Sequence, residues 1–157
     1  MSSSAGARVR KFLVVVDTTS ECKVALRYAA RRAQHTGGRV TLLAAAAPPD
    51  FQQWRGVEEI MEDEAHAEAE ARLHAAAGTV NALAGLLPEL IILQGRVTDC
   101  VSQLLKEDKD ISILVLAAGA GKEGPGPLVT MFAAGVQAVP VTIVPGNLTE
   151  AAIDSIA

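Results

Sequence analysis

Aromatic residues are scarce: three Phe, one Tyr and one Trp make up 3% of the 157 residues. Half of the chain is hydrophobic nonetheless, so a core must be assembled from Ala, Val, Leu and Ile. Such a set suits helices lying close against a sheet. Cysteine is nearly absent too. Cys22 and Cys100 are far apart and in no CxxC or zinc-type spacing, which argues against a disulfide scaffold and for reduced thiols. No apolar stretch approaches the roughly 20 residues that a membrane span needs. The run that follows Arg10 is stopped by Asp17, too soon for a secretory signal. A cytoplasmic location is the expectation that remains. Positive charge is not in excess either: the net charge is −4 and the isoelectric point is near 5.3. Nothing in that balance attracts nucleic-acid phosphates or anionic lipid, so neither nucleic acid nor membrane is an expected partner.

What is present is a regular succession of apolar runs and helical patterns. Lys11 to Asp17, Arg39 to Ala45, Glu89 to Leu93, Ile111 to Leu116 and Val139 to Val144 read as strands without alternation, the mark of burial on both faces. Helices are predicted between them. The first runs from Ser20 to His35, with Thr18 and Glu21 spaced as a capping box and Gly37-Gly38 as its stop. Its apolar positions are Val24, Ala25, Tyr28, Ala29 and Ala33, while Arg27, Arg31 and Arg32 form a solvated side. The second runs from about Val57 to Ala77, resuming through Asn81 to Leu83, with Ile60, Ala67, Ala71 and Leu73 inward. The third spans Val97 to Glu107 and buries Val97, Val101, Leu104 and Leu105. A short fourth runs from Pro127 to about Ala138. This order predicts one α/β domain over residues 10–146, after a lead of residues 1–9 and before a tail of residues 147–157. Its parallel sheet carries helices on both faces.

Open parallel sheets bind ligands beyond the carboxyl ends of their strands, where strand order reverses. Two suggestive segments stand at such ends. Asp17 follows the first strand. The run Ala118 to Pro127, with Gly119, Gly121, Lys122, Gly124 and Gly126, follows the fourth and leads into a helix at Pro127 and Leu128. Glycines there let backbone amides approach an anion, and Lys122 adds a mobile charge. The spacing is not that of a Walker loop, and no Walker hydroxyl follows Lys122. A tight irregular turn is the plainer account of the same glycines.

Phe12 to Asp17, then Ser20 and an Ala-rich helix, the glycine loop after the fourth strand and Pro140 to Pro145 together resemble the universal stress protein family. The likeness runs from about Lys11 to Pro145. It implies an open five-stranded parallel sheet in the order 3-2-1-4-5, with Asp17 and the glycine loop on either side of the switch point. In nucleotide-binding members the Asp after strand one contacts the adenosine end, and an apolar residue late in strand two lines the adenine pocket. By position these are Asp17 and Ala45. The family's phosphate loop is Gly-x-x-Gly, nine residues, then Gly-Ser or Gly-Thr. Here Gly121 to Gly124 supplies the first part, but Gly135 follows after ten residues and Val136 replaces the hydroxyl residue. Aligning Ala118 and Gly121 instead leaves a shortened loop with Gly126 opening the helix. Both alignments keep a backbone nest and lose the hydroxyl.

Two functions therefore stand open. One is a regulatory module that binds ATP or AMP at Asp17, Ala45, Gly119, Gly121, Lys122, Gly124, Gly126 and Leu128. The other is a ligand-free interaction protein; the resemblance implies a homodimer through strand five, with a protein partner the sequence does not name. An enzyme, such as a slow ATPase or a thiol catalyst using Cys22, finds no Ser/His/Asp set or acid pair. Cys22 sits where a helix dipole lowers a thiol pKa, although a packed small hydrophobe is the commoner role. Cys100 reads as packing. His66 and His74, near Glu62, Asp63 and Glu70, are ordinary residues of an Ala- and Glu-rich helix, so no metal is expected. Phe51 and Trp54 suit a loop anchored on its own domain.

Overall fold

A strand with apolar residues at every position needs cover on both faces, and the chain supplies it. In the computed structural model, which describes residues 9–46, 55–134 and 139–157 (side chains from residue 60 onward in the middle segment), ten elements follow one another. They are β1 (Lys11–Val15), α1 (Cys22–Thr36), β2 (Arg39–Ala46), α2 (Arg55–Ala84), β3 (Glu89–Gln94), α3 (Val97–Glu107), β4 (Ile111–Ala118), α4 (Pro127–Phe132), β5 (Val141–Pro145) and α5 (Glu150–Ile156). The five strands form one sheet in the order β3-β2-β1-β4-β5, and every described pairing is parallel. The order implied by the family resemblance is the one observed.

Successive residues of β1 point to opposite faces. Phe12, Val14 and Val16 pack with Val24, Ala25, Ala29 and Ala33 of α1 and with Leu73 and Val80 of α2. Leu13 and Val15 pack with Cys100, Val101, Leu104 and Leu105 of α3 and with Val129 and Phe132 of α4. Thus α1, α2 and α5 cover one face while α3 and α4 cover the other. Alanine against the sheet takes the place of aromatic bulk, and Ala29, Ala30 and Ala33 are fully enclosed.

Several local expectations differ from the structure. The Thr18–Glu21 capping box does not form: Glu21 is already in helical conformation and α1 has no side-chain cap. Asp17 turns the chain instead, its Oδ1 accepting from Thr19 N at 2.9 Å and Thr19 Oγ1 at 2.5 Å. α2 is continuous to Ala84, and its inward stripe is Ala69, Leu73, Ala76 and Val80, whereas Ile60, Ala67 and Ala71 are exposed. α4 ends at Phe132, and Ala133 and Ala134 follow as an exposed turn. The lead over residues 1–8, Phe51, Trp54 and the Gly135-Val136 alignment lie outside the described residues.

The largest difference is at the C-terminal segment. Residues read as a tail form α5, capped by Thr149 Oγ1 accepting from Ala152 N at 3.2 Å. Ile153 of α5 enters the core. Two of the three arginines read as solvated turn toward it. Arg27 Nε and Nη2 donate to both oxygens of Asp154 at 2.8 and 2.7 Å, and Arg31 Nε reaches Asp154 Oδ1 at 3.2 Å. Arg31 Nη1 also donates to the Leu83 carbonyl at 2.7 Å, so one guanidinium ties α1 to α2 and α5. A forked guanidinium–carboxylate pair is the strong form of such contacts.

These hydrogen bonds, Arg27's foremost, hold the Asp154 carboxyl at about 2 instead of its ordinary 3.8. A carboxyl depressed on folding contributes stability that is complete above its unfolded value and is lost as pH falls through its folded one. We expect Asp154→Asn to lower the melting temperature at neutral pH and to flatten its decline between about pH 4 and pH 2. Melting curves of the two proteins that stay parallel through that window would contradict the clamp.

Candidate functional site

The switch point lies between β1 and β4. These strands pair along Phe12 to Val14, yet the chain leaves β1 for a helix on one face and β4 for a helix on the other. Their carboxyl ends therefore diverge and open a crevice. A cavity of about 140 Å³ occupies it. Val15, Val115, Leu116, Ala25 and Val97 make an apolar floor, Asp17, Thr19 and Glu21 a polar rim, and the segment Pro125 to Val129 the far wall.

Three of the residues singled out from sequence meet here: Asp17, Gly126 and Leu128. Gly119, Gly121, Lys122 and Gly124 instead line an adjoining, shallower groove of about 490 Å³, together with Ser20, Glu123 and Gly146. Ala45 borders neither. It sits half-buried in β2 on the face shared by Val15 and Val97, two residues beyond Leu43, the register partner of Val15. Glu21, read from sequence only as half of a capping box, lines both depressions. No sequence signal marks it, because its place depends on where the glycine loop returns.

The loop is partly folded on itself. Gly124 N donates to the Gly121 carbonyl at 3.2 Å, and Gly119 N donates to the Pro125 carbonyl at 3.1 Å. Of the amides expected to face a ligand, those of Gly126, Leu128 and Val129 have no main-chain partner among the described residues. α4 begins with Pro127 behind Gly126 (φ 105°), a backbone conformation that suits glycine. The helix is only six residues long, so its dipole adds little at its start. Asp17 is half-buried, and with one oxygen already bonded to Thr19 it needs no ligand to offset its burial.

Cys22 opens α1 at the cavity wall, its Sγ 3.6 Å from the Val15 carbonyl. Burial pushes this thiol up against an opposing main-chain hydrogen bond at Asp17; the Asp17 and Glu21 carboxylates add to the rise, and Arg72 of α2 opposes it. The dipole-activated thiol that its position suggested is therefore not what the structure holds. Cys100 is packed in the core, and its thiol too is raised by burial. His66 and His74 are exposed, and among the described residues no three His, Cys, Asp or Glu stand together as a metal-binding group. Among the described residues, no helix is long and apolar enough to cross a membrane.

The sequence pattern of the Universal stress protein family matches residues 8–145. The chain belongs to the universal stress protein family. Solved structures agree on the fold. Universal stress protein UspA from Lactobacillus plantarum superposes with a TM-score of 0.71 at 19% identity, over 88% of this chain and 99% of that one. A universal stress protein from Archaeoglobus fulgidus in complex with dAMP gives 0.59 at 20% identity, over 88% and 99%. A universal stress protein family protein from Arabidopsis thaliana with AMP bound gives 0.59 at 17% identity, over 87% and 91%. No curated protein shows a significant match.

In this universal stress protein Gly146 bounds the adjoining groove from the β5 side. Its amide donates to the Ala118 carbonyl at 2.8 Å. A Cβ at Gly146 would stand 2.3 Å from that carbonyl oxygen and 3.0 Å from the Glu21 Cβ, and a main-chain atom cannot step aside cheaply. Gly146→Ala should cost roughly 1–3 kcal/mol, the range for overpacking. Urea unfolding would report the loss, and an unchanged midpoint would mean that β5 does not close on β4 in this way.

Proposed function

We propose that this universal stress protein is a regulatory module that binds an adenine nucleotide, ATP or AMP, between the carboxyl ends of β1 and β4. The observation that carries the reading is the crevice at the switch point, with its apolar floor, the Asp17 carboxylate on one rim and, on the other, amides of Gly126, Leu128 and Val129 without a main-chain partner among the described residues. The base and ribose would take the apolar cavity, near Asp17 and with Ala45 on the adjoining face. The phosphate end would take the glycine groove of Gly119, Gly121, Lys122 and Gly124. Binding would order the loop from Ala117 to Gly126, and a cytoplasmic protein partner would read the ordered surface. The similar structures with AMP and dAMP support the choice of ligand class.

The inner cavity is smaller than the roughly 300–1,000 Å³ usual for small-molecule sites, so a whole nucleotide would have to use both depressions. The test is thermal unfolding with adenosine, AMP and ATP, alongside alkylation of Cys22, which lines the same cavity. Millimolar ligand is expected to raise the melting temperature and slow alkylation, and Asp17→Ala to remove both effects. A flat response to all three compounds would rule the reading out.

A second reading is a ligand-free homodimer paired through β5. It is favoured by the outer position of β5 in the sheet and by Ile143, which is 37% exposed there. Static light scattering at micromolar concentration should give twice the chain mass, and Ile143→Lys should return it to one. A monomeric wild type would end this reading.

A further inference from the structure

The inference rests on the nucleotide reading and concerns which nucleotide. Of the described residues lining the two depressions, Glu21 alone lines both. A ligand with its base in the cavity and its phosphates in the groove must pass this carboxylate. The side chain runs past Gly119 and Gly146. A Cβ built on Gly119 would lie 3.2 Å from Glu21 Oε1, one built on Gly146 would lie 3.0 Å from Glu21 Cβ, and Ser20 Oγ donates to Oε2 at 3.4 Å. Those two glycines, lacking side chains, leave room for the carboxylate beside the β4 and β5 turns.

Charge around that point is unbalanced. Among the described residues, the inner cavity is lined by Asp17 and Glu21 with no cation, and the groove by Glu21 and Glu123 against Lys122 alone. Lys122 is exposed at the loop tip, where its charge is most screened. Arg72 of α2 lines neither depression, although its charge reaches Cys22 on the cavity wall. Neutral amides can hold a monophosphate, but each further phosphate adds negative charge beside Glu21.

We propose that Glu21 is a specificity-determining residue that acts as a charge filter, so that the site prefers an adenine nucleoside or nucleoside monophosphate over the uncomplexed triphosphate. Only the ligand's charge state sets this apart from the general nucleotide reading.

Isothermal titration with adenosine, AMP and ATP in EDTA tests it, on wild type, Glu21→Gln and Glu21→Asp. Wild type should bind AMP at least about fivefold more tightly than ATP, the discrimination that one like charge at contact distance exerts even in water. Glu21→Gln should bring the two within about twofold of each other. Glu21→Asp, which keeps the charge, should retain the preference and show that the effect is electrostatic. Equal binding of AMP and ATP by wild type, or a preference that survives Glu21→Gln, overturns the filter while leaving nucleotide binding intact. Absence of binding by all three compounds would instead sink the nucleotide reading and the filter with it.

Discussion

Parallel pairing of β1 with both β2 and β4 is the constraint from which the rest of the molecule follows. A parallel neighbour is reached only through a crossover, and right-handed crossovers to the two sides must run over opposite faces of the sheet. β1 is therefore buried twice, which demands its unbroken apolar run from Phe12 to Val16. It is also flanked at its carboxyl end by chain leaving in two directions. The crevice is a consequence of topology, and the side chains around it only decide what it can hold.

What they decide depends on a chain of contacts that begins at the far end of the molecule. Ile153 and Asp154 fix α5 against α1, and Arg31 fixes α1 against the end of α2. The first turn of α1 carries Glu21 and Cys22 into the crevice. Gly146, three residues before the Thr149 cap of α5, closes on Ala118 and on Glu21. The clamp and the crevice wall therefore share one short connection. Displacing α5 loosens the seat of Glu21 as well as the face of α1.

The sheet could be read from the sequence because five apolar runs separated by helical patterns leave few alternatives, and α3 was bounded as observed because its large residues contrast with its polar ones. Where contrast is missing, reading fails. In α2, Ala67, Ala69, Ala71 and Ala76 look alike, and only tertiary packing selects Ala69 and Ala76 as buried. α5 offers a single large inward residue, Ile153, too little for a period to show. Arg27 and Arg31 looked solvated because their acceptors lie elsewhere: Asp154 is more than a hundred residues away, and the Leu83 carbonyl is on another helix. At the site, Asp17, Gly126 and Leu128 could be placed because strand ends at a switch point follow from topology. Glu21 could not, since a capping-box spacing gave it a local role that Asp17 and Thr19 fill instead.

On the proposed reading, the two ends of the site differ in what can supply affinity. The base end has an apolar floor, where burial is favourable at about 25 cal/mol per Å², and a carboxylate with one oxygen still free of protein partners among the described residues. The phosphate end has a six-residue helix, no hydroxyl at the position the family motif requires, two loop amides already bonded within the loop, and one exposed lysine facing two glutamates. Exposed charges of that kind are worth little, whereas a buried polar match is worth several-fold in affinity. Selectivity in such a site comes from the base and from repulsion along the phosphates, because attraction there is too weak to hold a highly charged ligand unaided. A regulatory protein built this way would respond to how far a nucleotide pool has been dephosphorylated more than to its total size.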